Sequence, residues 1–197
     1  TARVLSADVE KPKVRRPVGM DARLAAPMSP QKPKLVFIVV GETVRAGNWG
    51  LNGYERQTSP NLQALNAVNF DNVTACGTDT ETSLPCMFSA IGRRDYDEAR
   101  IRSSESLLHV LSRAGVSVHW KDNQSGCKGV CDGLNEIPVE PSAAAGMCSE
   151  GRCLDEVLLQ GLESVVDASD TTTVVVLHML GNHGPAYFKR YPPSFRR

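Results

Sequence analysis

The sequence predicts an α/β domain with a mainly parallel central sheet and helices on both faces. Three observations predict it. Short apolar or β-branched runs of strand length alternate with stretches of helical periodicity. Each strand candidate is followed by a polar segment, as in open sheets whose ligands bind beyond the carboxyl ends of the strands. Hydrophobic residues make up 41% of the chain and charged residues 22%, a globular composition rather than a disordered one.

Residues 1–34 hold many Lys, Arg and Pro without sustained hydrophobic periodicity and read as a linker or extended arm. The domain is expected over residues 35–197. Leu35 to Val40 is an apolar run that suits a buried strand, followed by a Gly-containing loop and a helix entered through Ser59 and Pro60. Phe70 to Thr74 is a second strand candidate, and Ser83 to Ala90 a short helix with Pro85 in its first turn. Ser104 to Ala114 has helical spacing of Leu107, Leu108 and Leu111 and stops at Gly115. Val116 to Trp120 reads as a strand, Leu154 to Val166 as an amphipathic helix, and Thr172 to Leu177 as a β-branched buried strand.

The 22 basic and 22 acidic side chains balance, so nothing in the charge suggests a nucleic-acid backbone as partner. The longest apolar run, Leu35 to Val40, is far short of the roughly 20 residues that cross a bilayer. The N-terminus also lacks the basic-then-apolar pattern of a signal peptide, so any targeting segment is expected upstream or already removed.

Six cysteines fall into three close pairs, Cys76 with Cys86, Cys127 with Cys131 and Cys148 with Cys153. Local disulfides in an oxidising compartment are the simpler reading. The competing one is a structural zinc held by four thiolates of the two closer pairs.

Four polar segments carry the chemistry. Glu42 follows the first strand directly, and a carboxylate there is either paired, capping a helix, or bound to metal. The stretch Ala75 to Ser89, ACGTDTETSLPCMFS, sets hydroxyls ahead of a helix N-terminus, where phosphate binds well. Thr80 could be a nucleophile there if a metal or base deprotonates it, whereas the commoner role of any one such threonine, or of Ser83, is capping. In WKDNQSGCKGVCDG, Ser125 and Lys128 lie on a loop that a Cys127 to Cys131 bridge would stiffen, and Lys128 could hold a phosphate oxygen. Of four histidines, His109 and His119 sit inside element patterns and read as packing or surface residues. His178 and His183, in HMLGNHGP past the last strand, suit a zinc ligand or a phosphate contact, with a structural role equally open for His178.

Taken together and in order, LVFIVVGETVRAGNWGLNGY, ACGTDTETSLPCMFS, WKDNQSGCKGVCDG and HMLGNHGPAYFKRY resemble the lipid A phosphoethanolamine transferases, which include the mobile colistin-resistance enzymes. The resemblance runs from about Lys34 to the end of the chain. It implies an alkaline phosphatase and sulfatase-like fold on the periplasmic face of the Gram-negative inner membrane, behind an N-terminal transmembrane region that these residues do not include. It also implies zinc as cofactor, with Glu42 and Thr80 as ligands. Thr80 would attack phosphatidylethanolamine, release diacylglycerol and carry phosphoethanolamine to a lipid A phosphate, giving polymyxin resistance. Ser125 and Lys128 would line the donor pocket, and His183 would contact the transferred group or a second zinc.

The family completes its zinc site with an Asp-His pair in a DHGE-like motif on a later strand. No Asp-His occurs here. The chain, ending at Arg196 and Arg197, is therefore expected to lack part of the site, and a noncatalytic remnant is the alternative for it taken alone. Sulfatase activity is disfavoured because Cys86, Met87 and Phe88 do not begin a Cys-x-Pro-x-Arg pattern. A phosphoglycerol transferase is closer, but the cysteine pairs and HMLGNHGP favour phosphoethanolamine.

Overall fold

The computed structural model describes residues 14–25, 32–144, 146–149, 151–167 and 170–195. Its elements in chain order are β1 (Leu35–Val40), α1 (Pro60–Ala64), α2 (Thr80–Met87), α3 (Glu98–Ser103), α4 (Leu107–Arg113), β2 (Ser117–Asp122), β3 (Asn135–Ile137), β4 (Cys148–Ser149), β5 (Arg152–Cys153), α5 (Leu162–Asp167) and β6 (Thr173–His178), with 3-10 turns between them. The main sheet has the order β1-β6-β2-β3 and is parallel at every pairing. β4 and β5 form a separate antiparallel hairpin.

β6 sits between β1 and β2 and buries all six of its residues. Successive side chains of a strand point to opposite faces. Val174 and Val176 accordingly pack with Leu84, Phe88, Leu108, Val118 and Trp120, while Val175 and Leu177 pack with Val157, Leu158 and Leu162. α2 and α4 thus cover one face, and the 3-10 turn Asp155–Leu159 with α5 covers the other. Trp120, 1% exposed, stands edge-on to Phe88 with ring centroids 6.1 Å apart.

Several sequence expectations change in the folded chain. β1 is less buried than its apolar run suggests: among the described residues it pairs only with β6, and Val36, Phe37 and Val39 are 43%, 43% and 58% exposed. Phe70 to Thr74 forms no strand, and Phe70 and Val73 are exposed. The two apolar residues are three apart, which fits no single strand face. Asn69 instead ties this stretch to the preceding loop, accepting from Trp49 Nε1 at 3.1 Å and donating to Asn52 Oδ1 at 2.8 Å.

The helix expected from Ser83 begins three residues earlier, because Asp79 caps it by accepting from the Thr82 amide at 2.8 Å. Pro85 therefore lies inside α2 and cannot donate to the Glu81 carbonyl. Arg102 Nη2 takes that carbonyl at 3.2 Å. α3, which the sequence reading passed over, is capped by Asp97, and α4 starts at Leu107 behind a Ser106 and His109 capping box. The helix expected over Leu154 to Val166 is broken at Gln160 and Gly161, where Gly161 takes φ +69°. The break turns the Gln160 carbonyl toward the buried Lys121 ammonium, which donates to it. Burial pushes the Lys121 pKa down, with Glu163 opposing.

All six cysteines are paired, as Cys76–Cys86, Cys127–Cys131 and Cys148–Cys153, with Cα separations of 6.3, 5.8 and 4.0 Å. No thiolate remains for a structural zinc. Of the expected arm, residues 14–25 run beside α3 and α4: Arg16 bridges to Ser104, and the Val18 amide donates to Glu105 Oε2 at 3.1 Å. Residues 1–13, 26–31, Arg196 and Arg197 lie outside the described residues.

Trp120→Ala should lower the free energy of unfolding by about 3–5 kcal/mol, because it removes the largest side chain shared by the sheet and α2. Urea unfolding checks this, and a loss below about 1 kcal/mol would contradict the packing described.

Candidate active site

The carboxyl ends of β1, β6 and β2 deliver three loops to one edge of the sheet, and the N-terminus of α2 meets them there. Glu42 stands two residues beyond β1. Its Oε2 accepts from Thr80 Oγ1 at 2.7 Å and from Gln124 Nε2 at 3.3 Å, and its Oε1 accepts from Thr43 Oγ1 at 2.8 Å. Burial pushes its pKa up, but the hydrogen bonds from Thr80, Thr43 and Gln124, with the field of His183, outweigh burial and leave it below the usual carboxylate range. Glu42 is therefore an anion at neutral pH.

The backbone is bent to reach this arrangement. Thr43 takes φ +55°, an uncommon conformation for a β-branched residue, and its hydroxyl thereby meets Glu42. From the other side the loop after β6 presses on Glu42: the Asn182 amide donates to the Glu42 carbonyl at 3.0 Å. At Gly181, φ +51°, a Cβ would stand 2.8 Å from that carbonyl oxygen and 2.9 Å from the Glu42 amide nitrogen. Only glycine fits so close to immovable backbone.

Thr80 is the first residue of α2, where the helix dipole and exposed amides favour an anion. The turn before it is tied at both ends. Cys76–Cys86 spans it, and Ser83 Oγ donates to the Gly77 carbonyl at 2.7 Å. Lys128, in the loop closed by Cys127–Cys131, pairs with Glu81 Oε1 at 2.8 Å and donates to the Ser125 carbonyl at 2.9 Å. Its ammonium is thus held beside the residue that follows Thr80. Ser125 and His183 line a cavity of about 460 Å³ together with Asp122, Asn123 and Gln124. His183 is exposed, with Nδ1 2.8 Å from the Gly184 carbonyl. His178 is buried away from this group, 1% exposed, packed on Trp120 and bonded to Asp122.

Three residues that organise the site were not singled out from sequence. Gln124 reaches both Glu42 and Thr80, at 3.3 Å each. Asp122 Oδ1 lies 2.6 Å from His178 Nδ1, while its Oδ2 accepts from the Gln124 and Gly126 amides at 2.9 Å each. Asp155 accepts from Asn123 Nδ2 at 2.9 Å and from the Leu180 and Gly181 amides at 2.7 and 2.8 Å, tying the loop after β2 to the loop after β6. The available signal was the position of Asp122, a carboxylate ending an apolar strand.

The Glu42 carboxylate and Thr80 hydroxyl form a pair of converging oxygen donors that fits one side of a zinc coordination sphere. Among the described residues, no group of three or more His, Cys, Asp or Glu side chains is placed to hold a metal ion.

Burial pushes the Asp122 pKa up, but its bonds to His178 and to the Gly126 and Gln124 amides carry it below the ordinary value. A carboxylate depressed in the fold contributes stability that is complete above its unfolded pKa, near 4, and is lost as pH falls through the lower folded value. The stability gap between the parent and Asp122→Asn should accordingly shrink as pH falls below about 4. Urea midpoints at stepped pH values measure this, and a gap that widens on acidification would contradict it.

The sulfatase family pattern matches residues 34–197. Phosphoethanolamine transferase EptA of Escherichia coli K12 is 44% identical over 181 residues, covering 91% of this chain and 33% of its own length. Phosphatidylethanolamine transferase Mcr-1 of Escherichia coli is 43% identical over 185 residues, covering 90% of this chain and 34% of its own. The chain thus spans about a third of the length of these curated relatives. Among solved structures, the integral membrane protein lipooligosaccharide phosphoethanolamine transferase A of Neisseria meningitidis superposes with a TM-score of 0.84 at 41% identity, over 93% of this chain and 34% of that one. The match of the sulfatase pattern to residues 34–197, most of the sequence, shows that this chain belongs to the sulfatase family.

Proposed function

We propose that this chain is the Thr80-bearing part of a phosphoethanolamine transferase that moves phosphoethanolamine from phosphatidylethanolamine to a lipid A phosphate. The observation that carries the reading is the 2.7 Å hydrogen bond from Thr80 Oγ1 to the anionic Glu42 carboxylate at the first position of α2. Similarity over nine-tenths of the chain to one relative named a phosphoethanolamine transferase and another named a phosphatidylethanolamine transferase supports it.

Thr80 Oγ attacks the donor phosphorus, forming an O–P bond as the bond to the diacylglycerol oxygen breaks. The hydroxyl proton leaves along the existing hydrogen bond toward Glu42 and passes to the departing alkoxide. Lys128 and the α2 N-terminus hold the phosphoryl oxygens against the developing charge. A phosphate oxygen of the acceptor then attacks the same phosphorus, the bond to the Thr80 oxygen breaks, and that oxygen takes its proton from water. Gln124 orients the Thr80 hydroxyl through its amide, and Ser125 and His183 line the cavity into which the ethanolamine group extends. Glu42 and Thr80 would hold zinc, which when bound supplies Lewis acidity that lowers the hydroxyl pKa.

The added ammonium reduces the negative charge of lipid A and weakens its attraction for cationic peptides, which is the route to polymyxin resistance. The complete protein is placed on the periplasmic face of the inner membrane through a membrane region outside this chain. No helix among the described residues is long and apolar enough to cross a membrane.

In the complete protein, Thr80→Ala should cut transfer by about a thousandfold or more while leaving the unfolding midpoint unchanged. Thr80→Ser should retain measurable turnover. Lys128→Ala and His183→Ala should each lower kcat/KM about 10- to 100-fold with zinc content unchanged. Near-normal turnover by Thr80→Ala in a lipid transfer assay would end the nucleophile assignment.

A further inference from the structure

The cavity that Ser125 and His183 line is continuous in its walls with a second one. A cavity of about 670 Å³ shares Arg152, Cys153 and Arg190 with it, and is further lined by Met147, Lys189 and Tyr191. Three cations and, among its described residues, no carboxylate face this second space. The first cavity reaches Gln124, which touches Thr80 and Glu42 on its other side.

Arg190 is fixed in the wall between the two. Its Nε donates to the His183 carbonyl at 2.8 Å, while its Nη2 is buried and has no hydrogen-bond partner among the described residues. A buried guanidinium N–H without an acceptor carries the full desolvation penalty. An anionic oxygen entering the groove would remove it. Arg152 stands on the facing β4–β5 hairpin, which the Cys148–Cys153 disulfide staples, and it is exposed and makes no ion pair among the described residues.

We propose that Arg190 and Arg152 form the subsite for the phosphate monoester of the acceptor, an assignment that rests on the transferase reading above. Charge selects this ligand. A phosphate monoester carries about −1.5 to −2 at neutral pH, which two guanidinium groups match, whereas the donor phosphodiester carries a single charge. The planar fork of Arg190 suits two oxygens of one phosphate. Held there, the acceptor lies across Gln124 and His183 from Thr80, on the side open to a second substrate.

The test uses the complete protein and glucosamine 1-phosphate as the probe. Titration calorimetry should show binding to the parent that Arg152→Gln and Arg190→Lys each weaken about tenfold, the lysine keeping the charge but losing the fork. In Arg152→Gln the KM for the sugar phosphate in the second step should rise about tenfold, a larger loss than any fall in the release of diacylglycerol from phosphatidylethanolamine. Equal losses in both half-reactions would overturn the proposal by assigning the groove to the donor, and an unaltered probe affinity in Arg152→Gln would overturn it outright. If the parent releases no diacylglycerol at all, the transferase reading fails separately, and the calorimetry still decides whether the two arginines bind a phosphate monoester.

Discussion

Every feature of the site depends on β6 being the buried middle strand of a parallel sheet. Because β1 and β2 flank it in the same direction, with Val40 and Asp122 both paired with His178, their three loops emerge side by side. A parallel sheet always opens such a crevice at its carboxyl edge. What is particular here is how the crevice is locked. Asp122 holds the imidazole of His178 and the amides of its own loop, while Asp155 takes amides from the β6 loop and the side chain of Asn123. Two carboxylates outside the Glu42–Thr80 pair thus convert strand register into the position of Glu42.

The electrostatics follow from that frame. Glu42 collects three hydrogen bonds, and their sum outweighs the burial that would otherwise neutralise it. The resulting anion faces the hydroxyl of Thr80 at the positive end of α2. Lys128 could have been a free surface cation, yet it is turned onto Glu81 with φ +50° and is held in a disulfide-closed loop. Positive backbone angles at Thr43 and Lys128 mark the places where local conformational preference yields to site geometry.

Much of the architecture was legible because it lay in periodicity. The β-branched run ending at Leu177 and the apolar run from Leu35 read directly as strands, and the α4 boundary was written in Gly115. Errors came where a tertiary contact overruled the local pattern. Lys121 breaks the helix before α5 by claiming the Gln160 carbonyl, and Arg102 lets Pro85 sit inside α2 by satisfying Glu81. Glu42, Ser125, Lys128 and His183 could be picked out as reactive types on strand-following loops, and Thr80 as a hydroxyl at the entry to a helix. Gln124 could not, since an amide beside a serine carries no distinctive signal until its reach to Glu42 and Thr80 is known. Asp155 was hidden for the same reason: its three partners lie more than two dozen residues away in the chain.

The central claim is that Thr80 itself carries the group being transferred. Peptide mapping by mass spectrometry of the complete protein, quenched during turnover with phosphatidylethanolamine and no acceptor, tests it most directly. Phosphoethanolamine should be found esterified to Thr80 in the peptide bounded by Cys76 and Cys86. Turnover proceeding with that peptide unmodified, or with the group on Ser83 or Thr82, would contradict it.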